Sequence, residues 1–161
     1  MAWSRLKGAA LGLVSLALMV GCSDGAPGET ASAEVMERLE ASHYVEQGEG
    51  AMTVYAFKDP HCPACTELRE AVEGGATPSV SWRWIPVGFL GAGAHADAAD
   101  MVEAAHPETD GQEAVDSNMR LAQELGVRSV PTVFYRDTEG QVRSFVGGDR
   151  DALDALERMA Q

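Results

Sequence analysis

Two cysteines three residues apart sit where one kind of hydrophobic pattern gives way to another. Residues 52–57, Met-Thr-Val-Tyr-Ala-Phe, are rich in β-formers and read as a strand. Residues 66–73 read as a helix that stops at Gly74-Gly75. Between them runs Lys58-Asp59-Pro60-His61-Cys62-Pro63-Ala64-Cys65. The cysteines therefore fall at a strand end and a helix start. A helix start carries unpaired N–H groups and the positive end of the helix dipole, which stabilise a thiolate relative to a thiol. Side chains three apart share a helix face, so Cys62 and Cys65 can close a disulfide without moving the backbone. The expectation is a reversible dithiol. Cys62, in the exposed first turn, attacks; Cys65, one turn further in and more buried, resolves.

The rest of the composition narrows the partners. The 161 residues suffice for one domain, and a 45% apolar content permits a packed core. Acidic residues outnumber basic ones 25 to 12. Such a surface repels phosphate backbones and excludes nucleic acid as the natural partner, while favouring solubility. Besides the pair there is one further cysteine, Cys22.

Cys22 has its own context. Arg5 and Lys7 precede an uncharged run over residues 8–21, the basic and apolar regions of an export signal. The run is shorter than the roughly 20 residues of a membrane-spanning helix. It ends Leu18-Met19-Val20-Gly21-Cys22-Ser23, which resembles the lipobox of bacterial lipoproteins, with Met19 in place of the usual leucine. That resemblance implies lipidation of Cys22 after removal of residues 1–21. Ser23, following the cysteine, implies the outer rather than the inner membrane. Residues 22–32, made of Gly, Ala, Ser, Pro and acid, read as a flexible tether. Residues 33–161 form the expected domain.

In that domain, residues 33–41 have helical spacing and residues 43–47 suit a short edge strand. After the strand and helix around the dithiol, residues 80–86, Val-Ser-Trp-Arg-Trp-Ile-Pro, alternate as a second strand. Trp82 and Trp84 on one face of it are expected in the core. Residues 94–105 and 112–125 read as helices separated by His106-Pro107. Val130-Pro131 then opens a strand over 132–135, which a turn joins to a strand over 141–146. Asp149 caps a last helix over 150–159. The order is β-α-β, a helical insertion, then β-β-α, an α/β fold with a mixed central sheet. The β-α-β unit implies parallel strands and the closing hairpin adds antiparallel ones.

This order, with C-x-x-C at the first helix start and Val130-Pro131 opening a later strand, resembles the thioredoxin fold. Within it the chain is similar to periplasmic thiol:disulfide interchange proteins of the DsbC/DsbG type, nearer DsbG. The residues that carry the likeness are the run from Tyr55 to Cys65, Trp84-Ile85-Pro86-Val87-Gly88, Leu125-Gly126-Val127 and Val130-Pro131. The resemblance implies an envelope thiol-disulfide oxidoreductase without a cofactor, working as a reductase on client proteins that carry disulfides, thiols or sulfenic acids. Cys62 becomes the nucleophile, Cys65 the resolving thiol and Pro131 a cis-proline facing them. Proline is the residue for which cis is least costly, and it brings no N–H donor to the sulfurs. The backbone of Val130 would pair with a client strand. A membrane electron donor of DsbD type would keep the dithiol reduced.

Three departures from the resemblance matter. Between Cys22 and Met52 there are too few residues for the family's N-terminal dimerisation module, so isomerase activity is not implied. The insertion between Pro86 and Gly126 is short for DsbG. Ala56 occupies the position where thioredoxins carry a buried acid, which leaves the proton acceptor of Cys65 unassigned. His61 is the candidate for tuning the Cys62 thiolate, with Lys58 as a second. Two other readings stay open. The cysteines, with His61, His95 or His106, could bind Zn or Cu(I), although a structural zinc site wants four ligands in paired sets. A purely structural disulfide would close so small a loop that it would restrict the unfolded chain little.

Overall fold

The computed structural model describes residues 27–161. Cys22 and the expected signal segment lie outside the described residues.

The chain runs α1 (Pro27–Glu40), β1 (Val45–Gln47), β2 (Met52–Lys58), α2 (Pro63–Glu73), β3 (Val80–Pro86), α3 (Ala92–Ala105), α4 (Gly111–Glu124), β4 (Thr132–Arg136), β5 (Val142–Val146) and α5 (Arg150–Ala160). The strands form one sheet in the order β1-β3-β2-β4-β5. β2 lies parallel to β3, as a strand–helix–strand crossover requires, and antiparallel to β4. β1 is the expected edge strand, antiparallel to β3, and β4 and β5 are the expected hairpin. This is the thioredoxin-like α/β fold with its mixed sheet.

Strand alternation sorts the core into two layers. Val54, Ala56, Trp82, Trp84 and Val133 face Leu68 of α2 and Leu153 and Leu156 of α5. Tyr55, Phe57, Ile85 and Phe134 face Leu39 of α1 and Ala122 of α4. The two tryptophans are core residues, stacked with ring centroids 4.9 Å apart. α3 and α4 pack through Ala98, Ala99, Val102, Ala114 and Val115. Gly111 permits that approach, because a Cβ there would come within 2.4 Å of the Ala99 carbonyl oxygen.

Two helix starts differ from the sequence expectation by three residues or more. α1 begins at Pro27, inside the stretch read as tether, rather than at Ala33. Proline suits a first helical turn because its missing N–H would be unpaired there anyway. Tertiary contact completes the reason: Ser32 is largely buried, and its hydroxyl accepts the Val142 N–H of β5 at 3.2 Å. α2 begins at Pro63 rather than Thr66, again with proline in the first turn.

One buried amide ties the insertion to the sheet. Asn118 of α4 donates to the carbonyls of Pro86 (2.9 Å) and His43 (2.8 Å) and accepts the His43 N–H at 3.1 Å. Asn118→Ala strands those groups. It should lower unfolding stability by about 2–4 kcal/mol, since each unpaired buried polar group costs roughly 1–3 kcal/mol. Urea denaturation of the two proteins measures it.

Candidate active site

The register of β2 decides what meets what. Phe57 pairs with Ile85 of β3 on one side and with Thr132 of β4 on the other. Pro131, one residue before Thr132, therefore comes alongside the end of β2, where the cysteine loop departs. The Val130–Pro131 peptide bond is cis, as the resemblance implied, and Pro131 is buried.

Cys62 is the N-cap of α2. Its backbone is extended, and its sulfur accepts the Cys65 N–H at 3.2 Å. The Cys62 carbonyl takes the N–H groups of Cys65 and Thr66, each at 3.1 Å. On the other side the Cys62 S–H donates to the Val130 carbonyl at 3.4 Å. The sequence placed Cys62 in an exposed turn, but the residue is only 7% exposed, because the Val130–Pro131 segment closes over it. Cys65 is completely buried, so the expected order of accessibility holds. Both cysteines are free thiols. Burial, helped by the hydrogen bond with Cys62, pushes the Cys65 thiol up to about 12.

Asp59 builds the loop, and the sequence reading missed it. The residue is fully buried. One carboxylate oxygen accepts the His61 N–H at 2.8 Å, and the other accepts the Leu90 N–H at 2.8 Å. Its carbonyl accepts the Cys62 N–H at 3.2 Å. The available signal was Asp59-Pro60, since aspartate readily bonds the N–H two residues on in a turn. The link to Leu90 is tertiary and has no local signal.

His61 stands next to Cys62, but its ring is held elsewhere. Nε2 lies 2.7 Å from Asp97 Oδ2 on α3. The ring sits over Gly93, where a Cβ would approach its Cε1 to 3.3 Å. The other histidines do not converge on the dithiol: His95 pairs with Asp116 at 2.9 Å, and His106 bonds the Tyr44 carbonyl at 2.7 Å. Among the described residues no three His, Cys, Asp or Glu side chains stand together as a metal site. Lys58 is buried beneath α2, with burial, and then Arg69, holding its ammonium below the usual lysine range.

A dithiol at a helix N-terminus beneath a cis-proline, on a mixed sheet of this order, defines a class. The chain belongs to the thioredoxin-like family: the family model described as "Thioredoxin-like domain" matches residues 39–159. Among curated proteins it is similar to the thiol:disulfide interchange protein DsbG of Pseudomonas aeruginosa, with 25% identity over 71% of this chain and 54% of that one. The Escherichia coli DsbG is also 25% identical, over 73% of this chain and 57% of its own length. The chain thus spans little more than half the length of the curated relatives it matches. Among solved structures it is similar to a periplasmic thioredoxin-like protein from Salmonella enterica serovar Typhimurium. That match has a TM-score of 0.62 and 20% identity, covering 78% of this chain and 94% of that one. The catalytic domain of Proteus mirabilis ScsC matches with a TM-score of 0.58 and 17% identity, over 81% and 96% of the two chains.

The two thiols should differ sharply in reactivity. Iodoacetamide at pH 8 should label Cys62 and leave Cys65 untouched in the folded chain, because a buried thiol raised to about 12 is almost never a thiolate there. Peptide mass spectrometry after a timed quench reads this. Equal labelling of both would contradict the burial described.

Proposed function

We propose that this protein is a thiol-disulfide oxidoreductase of the bacterial envelope that reduces client disulfides. The observation that carries the reading is the paired geometry of Cys62 and Cys65 under Val130–Pro131, with Cys62 slightly exposed and Cys65 sealed behind it. The likeness to two DsbG proteins supports it.

The Cys62 thiolate attacks one sulfur of a client disulfide. A Cys62–client bond forms, the client S–S bond breaks, and the other client sulfur leaves as a thiolate. The Cys65 sulfur then attacks Cys62, the Cys62–Cys65 bond forms, and the second client sulfur is released. Two electrons pass from the dithiol to the client. The helix N-terminus and the Cys65 N–H stabilise charge on the Cys62 sulfur. His61, held by Asp97, sets the electrostatics beside it. A client strand takes over the Val130 carbonyl that the Cys62 thiol bonds in the free protein.

The further setting rests on the sequence. Cys22 carries a lipid that anchors the domain in the periplasm, with the outer membrane favoured, and a membrane electron donor of DsbD type regenerates the dithiol. One similar solved structure is itself described as periplasmic.

The test is turnover of a peptide disulfide such as insulin with the two single-serine variants. Cys62→Ser should abolish reduction. Cys65→Ser should form a covalent mixed disulfide and stop there, visible as a mass increase that dithiothreitol removes. Full activity in Cys62→Ser would sink the assignment.

A further inference from the structure

The segment that closes over the dithiol leads back, towards the N-terminus, into a charged cleft. Val130, whose carbonyl takes the Cys62 S–H at 3.4 Å, is two residues from Arg128. Two residues of backbone span at most about 7 Å. Arg128 lines a cleft of about 710 Å³ together with Arg120 of α4, Phe89, Met119 and Val127. A second part of that lining also leads to the dithiol. Phe89 precedes Leu90, whose N–H is held by the Asp59 carboxylate at 2.8 Å, and the Asp59 carbonyl takes the Cys62 N–H at 3.2 Å. The cleft is therefore tied to the Cys62 loop at two points, Val130 and Asp59.

The charge of this cleft runs against the rest of the molecule. Acidic residues outnumber basic ones 25 to 12 over the chain. Among the described residues, Arg38, Arg69, Arg83 and Arg143 are each paired with a carboxylate. Arg120 and Arg128 are exposed and form no ion pair among those residues. The acid that borders the cleft, Asp116, is engaged by His95 at 2.9 Å. Glu124, at the end of α4, is engaged by Arg38. Two guanidinium groups are thus left at the cleft without a partner, beside the buried Val127 and the half-buried Phe89 and Met119. A guanidinium fork matches a carboxylate through two parallel hydrogen bonds, and apolar neighbours that limit access of water strengthen the pair.

We propose that this cleft selects the client, taking a segment with aspartate or glutamate side chains a few residues from the reacting cysteine. This rests on the exchange reaction proposed above and names the substrate class of the same site. The client cysteine is held at Cys62. A client strand that pairs with Val130 and runs back past Ser129 brings its following residues to Arg128 and then to Arg120. Only residues on one side of the client cysteine enter the cleft. The acidic surface elsewhere repels such a segment, so these two arginines are what admits it. A segment with lysines at the same places meets like charge and is disfavoured.

The test uses three peptides, each closed by one disulfide and identical except for paired Asp, Asn or Lys residues flanking the cysteines. Reduced full chain in excess is mixed with each peptide, and the rate of peptide thiol formation is read by acid quench and chromatography. Each rate is divided by the rate with dithiothreitol, which removes the peptides' own differences in reactivity. The Asp peptide should exceed the Asn peptide by about fivefold, the upper range for an exposed ion pair, and the Lys peptide should be slowest. The advantage should shrink in about 1 M NaCl, where exposed charges are screened. Arg128→Glu should reverse the order of the Asp and Lys peptides, Arg120→Glu should narrow it, and Arg128→Lys should keep it. Because the preference is a ratio within one protein, a general loss of activity does not imitate it. Equal ratios for the three peptides in the wild type, or an Asp preference retained in Arg128→Glu, would overturn the proposal. If the wild type reduces none of the peptides, the exchange reading itself fails and this inference with it.

Discussion

Everything at this site hangs on the end of β2. The strand lies between a parallel and an antiparallel neighbour, and all its residues from Val54 to Lys58 are buried. Its two registers bring the first turn of α2 and the Val130–Pro131 segment to one edge. A one-residue slip would turn Lys58 out from under α2 and send Phe57 into the wrong layer. The dithiol is thus positioned by a doubly paired strand rather than by its own loop.

From this constraint follows an asymmetry between two chemically identical groups. Cys62 caps α2 and meets donors and acceptors from the backbone: the Cys65 N–H, and the carbonyl of Val130. Cys65, one turn further, sits in the apolar layer with burial as its main influence. The same step from cap to first turn therefore separates a slightly exposed cysteine from a completely buried one. Asp59 stiffens the approach, because its two carboxylate oxygens hold the loop to itself and to the start of the insertion at Leu90.

Much of this was legible in the sequence, for definite reasons. The strands announce themselves by β-formers and breaks and the dithiol by its spacing, while the cis-proline came through the family resemblance of Val130-Pro131. Helix starts were less legible where proline stands in the first turn, as at Pro27 and Pro63, because proline reads as a breaker although that position tolerates it. The burial of Cys62 could not be read, since the Val130 carbonyl arrives from 68 residues away. The same holds for Asp97, which meets His61 across 36 residues. Lys58 was visible as a residue near the cysteines, but its inward direction depends on β2 continuing one residue past Phe57.

The central claim is that Cys62 and Cys65 interconvert reversibly between dithiol and disulfide at a potential useful for exchange. Its most direct test is equilibration of the protein against glutathione redox buffers, with acid quench, alkylation and mass measurement of the fraction oxidised. A single two-electron transition is expected, lost in Cys65→Ser, lying nearer the roughly −270 mV of a thioredoxin-like reductant than the roughly −120 mV of a strong oxidant. A chain that forms no Cys62–Cys65 disulfide at any glutathione ratio would contradict it.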